Sequence, residues 1–515
     1  MYSRVLSASL YGLSGEETWV EVDVESGLPV FNIVGLANQS IKEAKERIHA
    51  AVMNCGFDFE SHRITVNLTP ANKKKDGSHF DLPIAIALLM STGQLKPHKG
   101  EKNGPVTAYL GELTLDGRLA PVEGALPMII GMQKSGVKRV VIPAGNLPEA
   151  ELVRGMEIIA ASTLTQVTEH ISGMDIIEPI VADGKPCCPA VTDHADFSDI
   201  RGQELVKRAA QVAAAGMHGM LMIGSPGVGK SMIGKRIPGI MPPLTYEEQL
   251  DVTQIYSVAG LLSEKNPMIC ERPFRAPHHS MSAAALTGGG SRPLPGEISL
   301  AHCGVLFLDE LPEFDSHTID MLRQPMEDGQ VSIVRVNGKC SYPARFMLVA
   351  AMNPCRCGYY GDAKRQCTCT ESDRRRYVGK ISGPLLDRFD IHVSMERIDY
   401  EDISAFEGGG RTSEELRDEV ILASEIQRDR YKDLGISSNS QLTPNLIKEY
   451  CVLDEDGQQL MRDAFIKWKL SARSYHRILK VARTVADLEG CEQIGRAHLL
   501  EALSYRQTDH YFKGQ

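Results

Sequence analysis

The chain has 515 residues, enough for two or three domains, and its 43% hydrophobic and 24% charged residues are the mix of an ordinary globular protein. No apolar run reaches membrane-spanning length, and Met1-Tyr-Ser-Arg-Val-Leu-Ser-Ala-Ser-Leu10 lacks the pattern of a signal peptide, so a cytoplasmic protein with no membrane attachment is expected. A net charge of −10 excludes a protein that is basic all over, and any nucleic-acid contact must use a local basic surface; the twelve cysteines, four of them clustered, read as metal ligands rather than a disulfide scaffold.

Residues 1–175 alternate strand-like and helix-like segments, as a compact α/β domain does. Thr18-Trp-Val-Glu-Val-Asp-Val24 alternates with period two. A helix is predicted over 37–52, with Ile41, Ala44, Ile48 and Val52 on one face. A strand at 64–68, a helix at 81–90, a strand at 107–110 and a helix at 124–135 follow, and Arg139-Val-Val-Ile142 closes the set. Residues 176–196, with Lys185-Pro-Cys-Cys-Pro189, are turn-rich and aperiodic and read as a linker.

The strongest local signal is Gly224-Ser225-Pro226-Gly227-Val228-Gly229-Lys230-Ser231, between the apolar run Gly219–Ile223 and a helix start. The glycines let backbone N–H groups wrap a phosphate, and the helix N-terminus adds its positive dipole end. Lys230 is suited to the β- and γ-phosphates and Ser231 to Mg²⁺, so ATP or GTP is the expected ligand. Downstream, Val305-Leu-Phe-Leu-Asp309-Glu310 is a buried strand ending in two acids: Asp309 for Mg²⁺, Glu310 to polarise the attacking water. A third such strand, 346–353, ends in Asn353, positioned to orient that water. This is the pattern of a P-loop ATPase with a catalytic glutamate.

Cys355-Arg-Cys357 and Cys367-Thr-Cys369 are two C-x-C units nine residues apart. Four thiolates within fifteen residues can close a tetrahedral site, with structural zinc the default metal; free thiols or a redox pair are the alternative. The stretch 327–346 reads as two strands around an Asn337-Gly338 turn. Its Arg335, Lys339 and Arg345 are candidate DNA-phosphate contacts, against a plain solvated face. Arg275 to Arg292 is loop-like.

Several of these segments also carry family resemblances. Gly111-Glu-Leu-Thr-Leu-Asp-Gly-Arg-Leu119 and Gly136-Val-Lys-Arg-Val-Val-Ile-Pro143 resemble the Lon peptidase domain, of the ribosomal-protein S5 domain 2-like fold. That family's nucleophile and lysine positions fall here on His79 and Leu126, so the resemblance implies the shape without the Ser–Lys dyad. Asp199-Ile-Arg-Gly-Gln203 resembles the segment that lies against adenine in AAA+ ATPases. Gly383-Pro-Leu-Leu-Asp387-Arg388-Phe-Asp390 resembles the corresponding segment of magnesium-chelatase ATPase subunits and MCM helicases, which implies that Arg388 completes a neighbouring subunit's ATP site. Position in the helical C-terminal part makes Arg473 the sensor-2 candidate, with Arg477 second. In the same clade the 327–346 hairpin lines the central pore, and that resemblance implies a candidate second pore insert at Arg275 to Arg292.

The full order resembles the magnesium-chelatase-like YifB/ComM family nearly end to end. The fold expected is α/β: a Lon-like domain over 1–175, linker 176–196, AAA+ core 197–400 and C-terminal helical lid 401–515. The resemblance implies an ATP- and Mg²⁺-dependent hexameric helicase that binds single-stranded, forked or branched DNA and promotes branch migration during natural transformation. A chelatase-type motor acting on a protein partner, for metal insertion or remodelling, is the alternative; an ATP-dependent protease is disfavoured by His79 and Leu126.

Overall fold

The computed structural model describes the chain except residues 29, 37, 60–62, 73–74, 99, 101–103, 185–194, 264–265, 291–292, 336–337, 363, 398–409 and 507–515. It divides into two compact units, 1–189 with 246–270 and 332–342, and 190–245 with 271–331 and 343–515.

The first unit is built on strands β1 (Tyr2–Tyr11), β2 (Ser14–Glu25), β3 (Val30–Val34), β4 (Arg63–Thr69), β5 (Thr107–Tyr109), β6 (Arg139–Pro143), β7 (Glu157–Ala161) and β8 (Ile180–Val181). They form one mixed sheet in the order β8-β7-β6-β5-β1-β2-β4-β3. Period two in β2 buries Thr18, Val20, Val22 and Val24. The unit's longer helices within residues 1–189 are α1 (Gln39–Asn54), α2 (Asp81–Ser91), α3 (Ala125–Lys134) and α4 (Leu164–Ser172). The predicted α1 stripe of Ile41, Ala44, Ile48 and Val52 is fully buried, and Asn38 caps the helix through the Ile41 N–H at 3.1 Å.

Two expectations are corrected here. Arg139–Ile142 does not close the set, because β7 and β8 extend the sheet beyond it. The stretch read as linker from residue 176 contributes β8, which pairs antiparallel with β7. Both side chains of β8 are exposed, so backbone pairing alone makes it a strand and no apolar pattern marks it. Lys185–Pro189 of that linker lies outside the described residues.

The second unit centres on β9 (Met220–Gly224), β10 (Phe274–Arg275), β11 (Val305–Leu308), β14 (Met347–Met352) and β15 (Ile391–Met395), ordered β10-β11-β14-β9-β15. Every pair in that sheet is parallel. Strands β9, β11 and β14 are buried at every position, which is why they read as continuous apolar runs. Helices α5 (Glu204–Gly216) and α6 (Lys230–Ile240) lie before and after β9 in the chain, while α7 (Tyr246–Val258) belongs to the first unit. The hairpin β12 (Gln330–Arg335) and β13 (Gly338–Pro343) forms its own two-stranded sheet, and its residues 332–342 are counted with the first unit. Helix α8 (Glu371–Val378) lies between β14 and β15 in the chain, and beyond β15 come the C-terminal helices α9 (Ser413–Tyr431), α10 (Pro444–Tyr450), α11 (Glu455–Trp468), α12 (Ala472–Leu488) and α13 (Arg496–Ser504). The C-terminal helices share one apolar cluster with the sheet, from Met222 and Val349 to Val485 and Leu503. The chain is thus an α/β protein with an α/β N-terminal domain, an AAA+ core and a helical C-terminal part.

Candidate nucleotide site

In a parallel sheet, ligands meet the loops at the C-terminal ends of the strands. Lys230, Asp309, Glu310 and Asn353 all follow such ends: after the loop leaving β9, after β11 and after β14. Gly227 and Gly229 stand at φ +81° and +96°, which only glycine adopts without strain. Gly224 serves differently, since a Cβ there would sit 2.7 Å from the Met395 carbonyl oxygen on β15. Val228 is buried in the core and anchors the loop between Pro226 and Lys230.

Lys230 Nζ donates to the Gly224 and Ser225 carbonyls at 2.7 and 2.9 Å and to Asn353 Oδ1 at 3.1 Å. Burial brings its pKa down to about 8, against the upward pull of the Asp309 and Glu310 carboxylates. Ser231 Oγ donates to Asp309 Oδ2 at 2.5 Å, so the hydroxyl and carboxylate suited to Mg²⁺ are already together. Glu310 has φ +53°, an uncommon backbone state for a non-glycine residue, and its side chain is half exposed. His279 Nδ1 lies 3.7 Å from Glu310 Oε2. The His279 ring lies tilted against His278 with centroids 4.1 Å apart and is edge-on to Phe314. His278 and His279 fall in the stretch read as a pore insert; Arg275 there is consumed by two 2.6 Å bonds to Glu297.

Arg388, Arg473 and Arg477 lie elsewhere. Asp390 N donates to the Gly219 carbonyl, which puts the Asp387–Asp390 segment at the N-terminal edge of β9 and β15. Five residues of strand, roughly 16 Å, separate it from the phosphate loop. Arg388 pairs with Glu327. Burial, with Arg473, Arg477 and Arg323 nearby, pushes its pKa below the usual arginine value. Arg473 is 3.7 Å from Asp387, and Arg477 is 3.6 Å from both Asp387 and Asp390. Arg477 is buried and Arg473 largely exposed.

The four cysteines converge. Their sulfurs all lie within 4.8 Å of one another, with Cys355–Cys357, Cys355–Cys367 and Cys357–Cys367 at 3.4, 3.7 and 3.6 Å. A ZnS₄ tetrahedron with ~2.3 Å arms needs sulfurs about 3.8 Å apart, so the donor set fits zinc. Gly358 and Gly361, at φ +86° and +81°, make the turns. Burial raises the Cys355 thiol; at Cys357 burial is outweighed by the N–H groups of Tyr359 and Thr368, which favour the thiolate.

On the hairpin, Val331, Ile333, Cys340 and Tyr342 are buried, while Lys339 is exposed. The Arg335 side chain and Asn337 lie outside the described residues. Arg345 stands beyond the hairpin, its side chain exposed and its N–H on His302 Nδ1 at 3.0 Å. In the first unit, His79 is buried with Nε2 2.9 Å from the Ala8 carbonyl, and Leu126 is fully buried. Neither offers the peptidase chemistry of the Lon dyad.

Sequence reasoning missed His279, Glu327 and Asp362. The histidine pair was visible, but nothing local linked it to Glu310. Asp362 accepts from Ser225 Oγ at 2.8 Å across 137 residues, which no spacing rule reveals.

The fold and site define a magnesium-chelatase-like AAA+ ATPase, a class that uses ATP and Mg²⁺. Family models match throughout: magnesium chelatase subunit ChlI over residues 196–403, subunit ChlI of Mg-chelatase over 20–146, and the ChlI C-terminal model over 410–506. The competence protein ComM of Haemophilus influenzae is 40% identical over 505 residues, 98% of this chain and 97% of its own. The uncharacterised protein YifB of Escherichia coli is 40% identical over 509 residues, with the same coverage. A Lon protease of Lachnoclostridium phytofermentans is 30% identical over 117 residues, 22% of this chain and 14% of its own. The chain belongs to the YifB/ComM family.

Proposed function

We propose that this chain is a ring-forming motor that couples ATP hydrolysis to movement along DNA, and that it drives branch migration of recombining strands, with uptake of transforming DNA as its setting. The observation that carries the ring is the separation of two half-sites. Lys230, Ser231, Asp309, Glu310 and Asn353 meet at one edge of the sheet, and Arg388 with Arg473 and Arg477 stands at the other. An arginine at the far edge cannot serve its own subunit's γ-phosphate, but it suits the next subunit's. A hexamer is the closed ring expected.

In this reading Lys230 and the phosphate-loop backbone hold the triphosphate, and Ser231 and Asp309 would hold Mg²⁺, which supplies charge neutralisation when bound. Glu310 takes the proton of a water oriented by Asn353, and Arg388 of the neighbour stabilises the charge that develops. Movement of the hairpin carrying Arg335 and Lys339, with Arg345 at its base, advances the DNA backbone. Zinc on Cys355, Cys357, Cys367 and Cys369 is structural, since four thiolates leave no open position. The name of the Haemophilus relative supports the competence setting.

The test is ATP hydrolysis with and without single-stranded, forked and four-way-junction DNA at two salt concentrations, with Glu310→Gln as blank. Salt-sensitive stimulation is expected, because phosphate contacts release counterions. A rate indifferent to every DNA would sink the DNA motor and favour the second reading, a chelatase-type motor on a protein partner, for which the three ChlI family matches speak.

A further inference from the structure

The loop between the two C-x-C pairs is fastened to the phosphate loop. Gly358 packs so closely on Pro226 that a Cβ there would lie 2.6 Å from the proline Cδ. Four residues on, Asp362 has a side chain 1% exposed. One of its oxygens accepts from Ser225 Oγ at 2.8 Å and meets Arg397 Nε at 2.8 Å. The other accepts the Lys364 and Arg365 N–H groups at 2.9 and 3.0 Å. Tyr359 lies beneath the guanidinium groups of Arg365 and Arg397 at 5.2 and 5.5 Å. At the other end, Cys355 follows Asn353 by two residues, and the Asn353 side chain accepts from Lys230. The cysteine loop thus touches the phosphate loop directly at Ser225 and Pro226, and the strand end that leads into it does so through Asn353.

Such a loop, nine residues between ligand pairs and with no helix or strand among its described residues, keeps less conformational freedom when its ends are fixed as well. The four cysteines fix those ends when they share an ion. We propose that the metal-bound cysteine loop is a brace on the phosphate loop, and that Asp362 is the positioning residue through which nucleotide affinity and metal affinity are linked. The inference rests on reading Gly224–Ser231 as the ATP site. Linkage is reciprocal: whatever factor zinc adds to nucleotide affinity, nucleotide must add to zinc affinity.

The experiment uses the full chain as purified. Zinc content is measured by mass spectrometry, zinc affinity by competition with a chelator of known strength, and nucleotide affinity with fluorescent ADP and Mg²⁺. Saturating ADP should raise zinc affinity about fivefold or more, and chelator-stripped protein should bind ADP more weakly by the same factor. Asp362→Ala should keep its zinc, lose the effect of ADP on zinc affinity, and bind ADP more weakly than the parent chain. Because stripped protein can unfold, the decisive comparison is zinc competition with and without ADP on the parent and on Asp362→Ala. Equal zinc affinity with and without ADP in the parent overturns the brace, as does purified protein that holds no metal yet binds ADP tightly. Failure of metal-loaded protein to bind any nucleotide overturns the ATP site itself, and the brace with it.

Discussion

Ser231 Oγ and Asp309 Oδ2 stand 2.5 Å apart across 78 residues of sequence, bringing the end of the phosphate loop against the end of β11. Lys230, one residue earlier, is buried against two carbonyls and Asn353. The site is therefore preorganised for an anion, but at the cost of a cation out of water.

That cost predicts a pH dependence. Burial holds Lys230 at about 8 in the free protein. A bound phosphate adds negative charge and raises this value towards or beyond that of an ordinary lysine. Between about pH 8 and 10 binding must then take up a proton, and affinity must fall as pH rises through that window. Calorimetry at pH 9 in buffers of different ionisation enthalpy should show uptake approaching one proton per nucleotide. Zero uptake would mean that nucleotide binding leaves the charge on Lys230 unchanged. Lys230→Ala should weaken nucleotide binding by about a hundredfold or more, since the charged bonds to phosphate are lost.

His279 gives a second prediction. Glu310 is held in a left-handed backbone state with a half-exposed side chain, and the His279 ring lies 3.7 Å from its carboxylate, with Lys230 also within its electrostatic reach. A carboxylate that must meet a water at a defined angle is sensitive to its neighbours. His279→Ala should lower kcat about ten- to hundredfold with ATP affinity nearly unchanged, and His279→Asn, which keeps an N–H donor, should recover part of it. An equal loss in both variants, or a change confined to KM, would remove His279 from the positioning of Glu310.

How far the chain was legible follows from where each signal lives. The phosphate loop was plain because glycine demands, strand and helix all lie within about fifteen consecutive residues. The acids after β11 and Asn353 after β14 were plain because fully buried parallel strands read as apolar runs with polar ends. The cysteine pairs were legible by composition. What failed was contact between distant segments: Asp362 on Ser225, Glu327 on Arg388 and His279 near Glu310 depend on topology, not spacing. Strand β8 failed for another reason, since its exposed Ile180 and Val181 are strand only through backbone bonds to β7.

The C-terminal helices make a prediction about stability. Asp487, its side chain fully buried, accepts two bonds from Arg430 at 3.0 and 2.6 Å, one from Arg483 at 3.1 Å and one from Asn439 at 2.8 Å. Asp487→Ala leaves Arg483 buried without its carboxylate, a change that costs about 3–5 kcal/mol in comparable sites. The thermal transition should drop by roughly 3 °C or more. Arg375→Ala, which breaks an exposed pair with Glu371, should shift it by less than about 2 °C. Equal shifts would show that the Asp487 cluster contributes no more than a surface pair.

The final prediction turns on the two edges of the sheet. Arg388→Ala keeps Lys230, Ser231, Asp309 and Glu310 intact, so it should bind ATP normally while hydrolysis falls about a thousandfold, the usual worth of such an arginine. Glu310→Gln has the opposite defect: its own site is dead, but its Arg388 is sound. If Arg388 works on the neighbouring subunit, the two inactive variants should complement each other when mixed. An Arg388→Ala subunit then has a complete site wherever its neighbour is Glu310→Gln. At equal amounts, random mixing in a closed ring pairs each subunit with the other type half the time, so about a quarter of all sites regain both halves. Hydrolysis should therefore return to an appreciable fraction of the parent rate, and it should peak near equal mixing. If Arg388 served its own subunit, no mixture would exceed the sum of its inactive parts. Such a flat mixing curve would remove the shared site on which the ring reading stands.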